Sequence, residues 1–145
     1  MFLHRNYTGA LTFENVCRDK TFGRAVRHNG DNRTGKGSGD DERIDIDLDY
    51  MPDEVKVLWV VVNVYTAGAT FSQVKGAYIR LCAARNGHEF CKFRLDEGPN
   101  SRGLVLAKIF RNAAARWCVM AVGQSCGRNS ESISRVFFHR NILGD

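Results

Sequence analysis

From Arg43 to Leu48 the chain alternates strictly, with Ile44, Ile46 and Leu48 on one side and Arg43, Asp45 and Asp47 on the other. A period of two predicts a half-buried strand with its acids turned outward to water rather than to a ligand. Val57 to Tyr65 is nearly continuous apolar sequence rich in valine, which predicts a strand covered on both faces. Tyr78 to Ala83 and Glu89 to Leu95 flank Arg85-Asn86-Gly87-His88, and Asn-Gly between two such runs predicts a hairpin. Leu104 to Arg111 fits helix or strand by period alone. Trp117 to Val122 is another apolar run, closed by Gly123, and Ser125 to Ser134 is polar and reads as loop. Val136-Phe137-Phe138 is too short to place. Strands follow one another with no helical rhythm between them, so the expected fold is an all-β, antiparallel β-sandwich.

The most unusual segment precedes the Arg43 strand. His28 to Glu42 packs four glycines (Gly30, Gly35, Gly37, Gly39) and four carboxylates (Asp31, Asp40, Asp41, Glu42) into fifteen residues. Glycines at alternate positions let the backbone curl and aim carbonyls inward. Adjacent acids repel by about 1 kcal/mol per pair at 4 Å in water, and by about 4 at an effective dielectric of 20. A hard cation reverses that cost, and oxygen-only ligands on a flexible loop suit Ca²⁺. The loop is not an EF-hand, since Asp31 at the first position would put Arg33 and Gly35 where ligands belong. It is not a phosphate loop either, because the G-K-[ST] ending is missing and acids surround it. The plain alternative is a solvated Gly/Asp loop that binds nothing.

Charge sharpens this picture. Residues 31 to 54 hold nine acids against three bases, while the whole chain carries +5, so the remainder is strongly basic. The acidic segment attracts cations on an otherwise basic protein. The basic residues, among them Arg111, Arg116, Arg128, Arg135 and Arg140, are scattered without aromatic interleaving or a nucleic-acid signature, so a nucleic-acid partner is not expected. No apolar run approaches the ~20 residues of a membrane helix, and Met1 to Arg5 lacks a signal-peptide core. Cys17, Cys82, Cys91, Cys118 and Cys126 form an odd set without C-x-x-C, which fits reduced thiols and a cytoplasmic address. His28 and His88 are expected to be structural and solvent-exposed, respectively. At 145 residues one domain is expected over 1–145, with a tail of unclear structure from 126.

The order of residues adds more than their composition. G-D-N-x-T-G-x-G-x-G-D-D-E at 30–42 resembles the signature of the TerD family of tellurium-resistance and stress-response domains. The resemblance continues through Ile44 to Leu48, Met51-Pro52-Asp53-Glu54-Val55, Val60 to Tyr65, Thr70 to Val74, Ala77 to Leu81, Trp117 and Ala121 to Gln124. Upstream, Leu11-Thr12-Phe13-Glu14-Asn15 resembles a family strand, so about 11–125 is covered. The resemblance implies strand for Leu104 to Arg111 and a calcium-binding β-sandwich that is not an enzyme. It places the ion on Asp31, Asn32, Asp40, Asp41 and Glu42, with backbone carbonyls near Thr34, Gly35 and Gly37. Gln73 and Gln124 recur in the family motifs, where hydrogen bonding between strands is expected of them.

This chain departs from that pattern at Lys36 and Ser38, where acids are usual, and at Thr66, where an aspartate is usual. The family's N-terminal strands have no counterpart, so the sandwich is expected to be N-terminally shortened. The exposed edge is then open to self-association or to a partner strand. Three readings remain open. The first is a calcium-binding stress-response domain with protein partners in a stress-response complex. The second is an interaction module with a decayed ion site, whose basic surface meets phosphate-bearing or protein partners. The third is a thiol-based scavenger or enzyme.

Overall fold

The computed structural model describes residues 2–4, 7–9, 24–29, 40–64, 66–96 and 100–126. Most of the acidic loop (30–39), the Leu11–Asn15 strand, Tyr65, and the tail from 127 with Val136-Phe137-Phe138 lie outside the described residues. The chain divides into two compact units, Met1–Leu58 and Trp59–Asp145. Strands are all antiparallel, and no α-helix occurs among the described residues. No helix among them is long and apolar enough to cross a membrane.

In the first unit, β1 (Phe2–His4) and β2 (Tyr7–Gly9) form a short hairpin ahead of the family-like segment, which periodicity does not reveal. Strands β3 (Val26–His28) and β4 (Ile44–Ile46) pair as the stem of the acidic loop, with Val26 opposite Ile46, Arg27 opposite Asp45 and His28 opposite Ile44. β1 also pairs with the start of β5 (Val57–Asn63), so that side of β5 is occupied at Val57 and Leu58.

Strand β4 is shorter than its alternation predicts. Asp47 closes the ladder with an N–H to the Ala25 carbonyl at 2.7 Å, and its Oδ1 accepts the Asp49 N–H at 3.1 Å. That carboxylate caps a 3-10 turn over Leu48–Tyr50, so Leu48 leaves the strand face. Ile44 is 54% exposed, against the expectation of burial. The core of this unit comes instead from Ala25, Val26, Met51, Val55 and Leu58. Met51 and Val55 sit at the ends of the Met51-Pro52-Asp53-Glu54-Val55 turn, where Val55 N–H bonds the Pro52 carbonyl at 3.0 Å.

In the second unit, β6 (Tyr78–Cys82) and β7 (Glu89–Arg94) form the hairpin expected around Asn86-Gly87. Its loop is four residues long, closed by the Ala83 N–H to the His88 carbonyl at 2.8 Å. Only Gly87 takes a left-handed φ (+70°), so Asn-Gly works here as the end of a longer turn. β5 is followed in its sheet by β8 (Gly103–Arg111) and β9 (Trp117–Cys126). Leu58 and Trp59, adjacent on opposite faces of β5, are both buried, while Val57 and Val60 to Val62 are half-buried.

Gly123 does not end its strand: β9 runs through it to Cys126, so Ser125 belongs to the sheet. The register shifts between Val105–Gln124 and Ala107–Ala121, which sets Leu106 against both Val122 and Gly123 as a β-bulge. Phe71, Leu95 and Leu104 form the buried centre of this unit, with Val62, Val64, Ala77, Ile79 and Phe93 around it. Side chains of the β6–β7 ribbon thus interdigitate with those of β5 and β8, which is sandwich packing.

Candidate functional site

The residues that flank segment 30–42 are held together. Beyond the β3–β4 ladder, Asn29 N–H donates to the Arg43 carbonyl at 3.0 Å. Between these partners lie thirteen residues, 30–42, the whole acidic signature. Asp45 reinforces the closure. Its Oδ2 accepts from Asn29 Nδ2 at 2.7 Å and its Oδ1 from Arg43 Nε at 2.6 Å. The hydrogen bond from Asn29 is the largest influence; together with the one from Arg43 and the charges of Arg43 and Arg27 it outweighs the opposing effect of burial and holds the Asp45 carboxyl below the usual aspartate range. Asp45 is therefore neither a simply solvated acid nor a ready ligand: both oxygens serve the loop's base. Charge alternation places Asp45 on the outward face, but its partner Asn29, sixteen residues away, becomes visible only through strand register.

Of the seven residues that sequence places around an ion, Asp40, Asp41 and Glu42 are described, consecutive and exposed, at the point where the loop enters Arg43. Asp31, Asn32, Gly35 and Gly37 lie outside the described residues. Among the described residues no group of three His, Cys, Asp or Glu side chains converges as a metal shell. Asp40, Asp41 and Glu42 by themselves therefore form no metal site among the described residues. Their chemistry, anionic oxygen without nitrogen or sulfur, fits a hard divalent cation.

Other candidate groups have structural partners. Gln73 bonds locally: its Oε1 accepts the Thr70 N–H at 3.0 Å, closing a 3-10 turn that seats Phe71 in the core. This corrects the expectation of an inter-strand role, because the turn brings Gln73 back over its own N-terminus. His88 is exposed and meets Phe90 edge to face at 5.4 Å. Cys82, Cys91 and Cys118 are free thiols, and burial pushes the Cys91 thiol above its ordinary value, which disfavours the reactive thiolate. Asp96 accepts the Gly76 N–H at 2.9 Å and Arg94 Nη2 at 3.2 Å, and these hold its carboxyl low.

The chain is 39% identical over 104 residues to tellurium resistance protein TerD of Serratia marcescens, covering 69% of this chain and 54% of that protein. It is 38% identical over 116 residues to stress response protein SCP2 of Bacillus subtilis, covering 76% of this chain and 58% of that one. The chain thus spans little more than half the length of these relatives. The crystal structure of a homologue of telluride resistance protein (TerD) from Streptomyces coelicolor A3(2) superposes with a TM-score of 0.65 at 17% identity, over 78% of this chain and 64% of that one. That likeness concerns the fold. The TerD domain profile matches residues 11–137, which takes in the loop, its stem and the sandwich strands, and the chain belongs to the TerD family.

Proposed function

We propose that this chain is a non-enzymatic calcium-binding domain of the tellurium-resistance and stress-response type, with the ion held by loop 30–42. One observation carries the reading: the loop's ends are fixed at Asn29 and Arg43 while Asp40, Asp41 and Glu42 stay exposed at its exit. Pre-closure lowers the entropy that an ion must overcome to gather its ligands. Asp31, Asn32 and the carbonyls of Gly35 and Gly37 complete the shell in this reading. Bound Ca²⁺ supplies positive charge that cancels the mutual repulsion of the acids and orders the loop. The protein works in the cytoplasm, where ion-dependent loop order presents a surface to protein partners of a stress response.

Calorimetric titration of Ca²⁺ into metal-free protein tests this, beside the double variant Asp40→Asn, Asp41→Asn. Saturable binding in the wild type, lost in the variant, is expected. Ca²⁺ at a hundredfold excess over Kd then adds about 2.7 kcal/mol of stability. Absence of both heat and thermal stabilisation at saturating Ca²⁺ would overturn the reading.

A further inference from the structure

The basic residues scattered along the sequence are not scattered on the β6–β7 ribbon. Tyr78 pairs with Arg94 and Arg80 with Lys92, so these four side chains form a two-by-two block on one face. Lys92 Nζ lies 4.0 Å from the centroid of the Tyr78 ring, which confirms the shared face. The opposite face carries Ile79 and Phe93 into the core. Phe90, the bulged residue of β7 between Glu89 and Cys91, is 49% exposed beside this block. Residues 75–96 carry five bases against two acids.

We propose that this face binds a single strand of nucleic acid. Cations at alternate positions of a strand repeat every ~6.8 Å and track a phosphate backbone, while the exposed Phe90 ring offers a base a stacking surface. A duplex fits less well, because its bases are already stacked and give Phe90 nothing to cover. An acidic polypeptide satisfies the cations alone. Two acids, Glu89 and Asp96, lie beside these cations. Glu89 meets Arg80 at 3.7 Å with both side chains more than a third exposed, a contact that a phosphate displaces readily. The Arg94 side chain stays 57% exposed beside Asp96. The inference is independent of the calcium reading.

Fluorescence anisotropy of a labelled oligothymidylate, measured with the full chain in EDTA, tests it. Binding is expected to weaken with salt with a log–log slope of about −2 for three phosphate contacts. Lys92→Gln should reduce that slope by about 0.7. Phe90→Ser should weaken binding about tenfold and leave the slope unchanged. Glu89→Gln should tighten binding, a gain that no folding defect can mimic. Melting temperatures of the three variants verify folding. No binding by the wild type at about 50 mM salt would overturn the proposal. So would equal binding of duplex DNA or polyglutamate, or indifference to Phe90→Ser in a folded variant.

Discussion

The ring of Phe93 occupies the space in which a side chain at Gly123 would stand: a Cβ built there meets Phe93 Cε1 in hard overlap and Cζ at 2.6 Å. Gly123 also holds φ at +62°, the left-handed conformation of its bulge. β7 and β9 approach through this pair, so one glycine serves both the backbone and the packing of the sandwich. Gly123→Ala combines left-handed strain of about 1–2 kcal/mol with overpacking of about 1–3. A loss of about 2–5 kcal/mol in urea unfolding is expected. Gly123→Ala, Phe93→Leu should recover the packing share and keep the strain. An unchanged midpoint for the single variant would refute the close approach.

The β8–β9 turn contains the converse case. Ala115 is held at φ +57° in a loop closed by Asn112 N–H to the Arg116 carbonyl at 2.9 Å. Asn112 Oδ1 accepts the N–H groups of Ala114 and Arg116, each at 3.0 Å. Ala115→Gly should stabilise the protein by about 1 kcal/mol, and Asn112→Ala should cost about 1–2. Thermal denaturation reads both, and equal shifts of one sign would contradict the assignment.

Asp96 makes stability depend on acid. Its folded carboxyl is held below the ordinary 3.8 by Gly76 N–H and Arg94, so the unfolded chain takes up this proton first. Its contribution is complete above the unfolded value and is lost as pH falls from there through the folded value. Asp96→Asn should therefore flatten the decline in stability below about pH 4. Parallel acid-unfolding curves for wild type and variant would exclude this role.

Asp45 should couple the loop stem to ion binding. Asp45→Ala removes the acceptor of both Asn29 and Arg43, at a cost of about 1 kcal/mol for exposed charge-assisted bonds. Hydrogen exchange at the Asn29 amide should accelerate. Under the proposed calcium reading, affinity should fall while stoichiometry stays the same, because both Asp45 oxygens are engaged by Asn29 and Arg43. Asp45→Asn keeps one acceptor and should lie between. A lost equivalent of calcium would make Asp45 a ligand instead.

Much of the second unit was legible in the sequence. Period-two runs and Asn86-Gly87 gave β6, β7 and the turn between them, because alternation and turn chemistry act over a few residues. The ordered motif of loop 30–42 gave the family. The end of β4 at Asp47 and the passage of β9 through Gly123 were not legible. A capping carboxylate and a bulging glycine look like any other Asp or Gly until a partner strand sets the register.

What the sequence by itself determined is local and chemical: which runs are extended, where anionic oxygen is concentrated, and which family the order of residues matches. Tertiary structure alone decided which distant side chains meet. It brought Asn29 to Asp45, Phe93 over Gly123, and Arg80, Lys92 and Arg94 onto one face with Tyr78. The physical reason is that antiparallel register pairs residues at separations set by loop length, and a one-residue change sends each side chain to the opposite face.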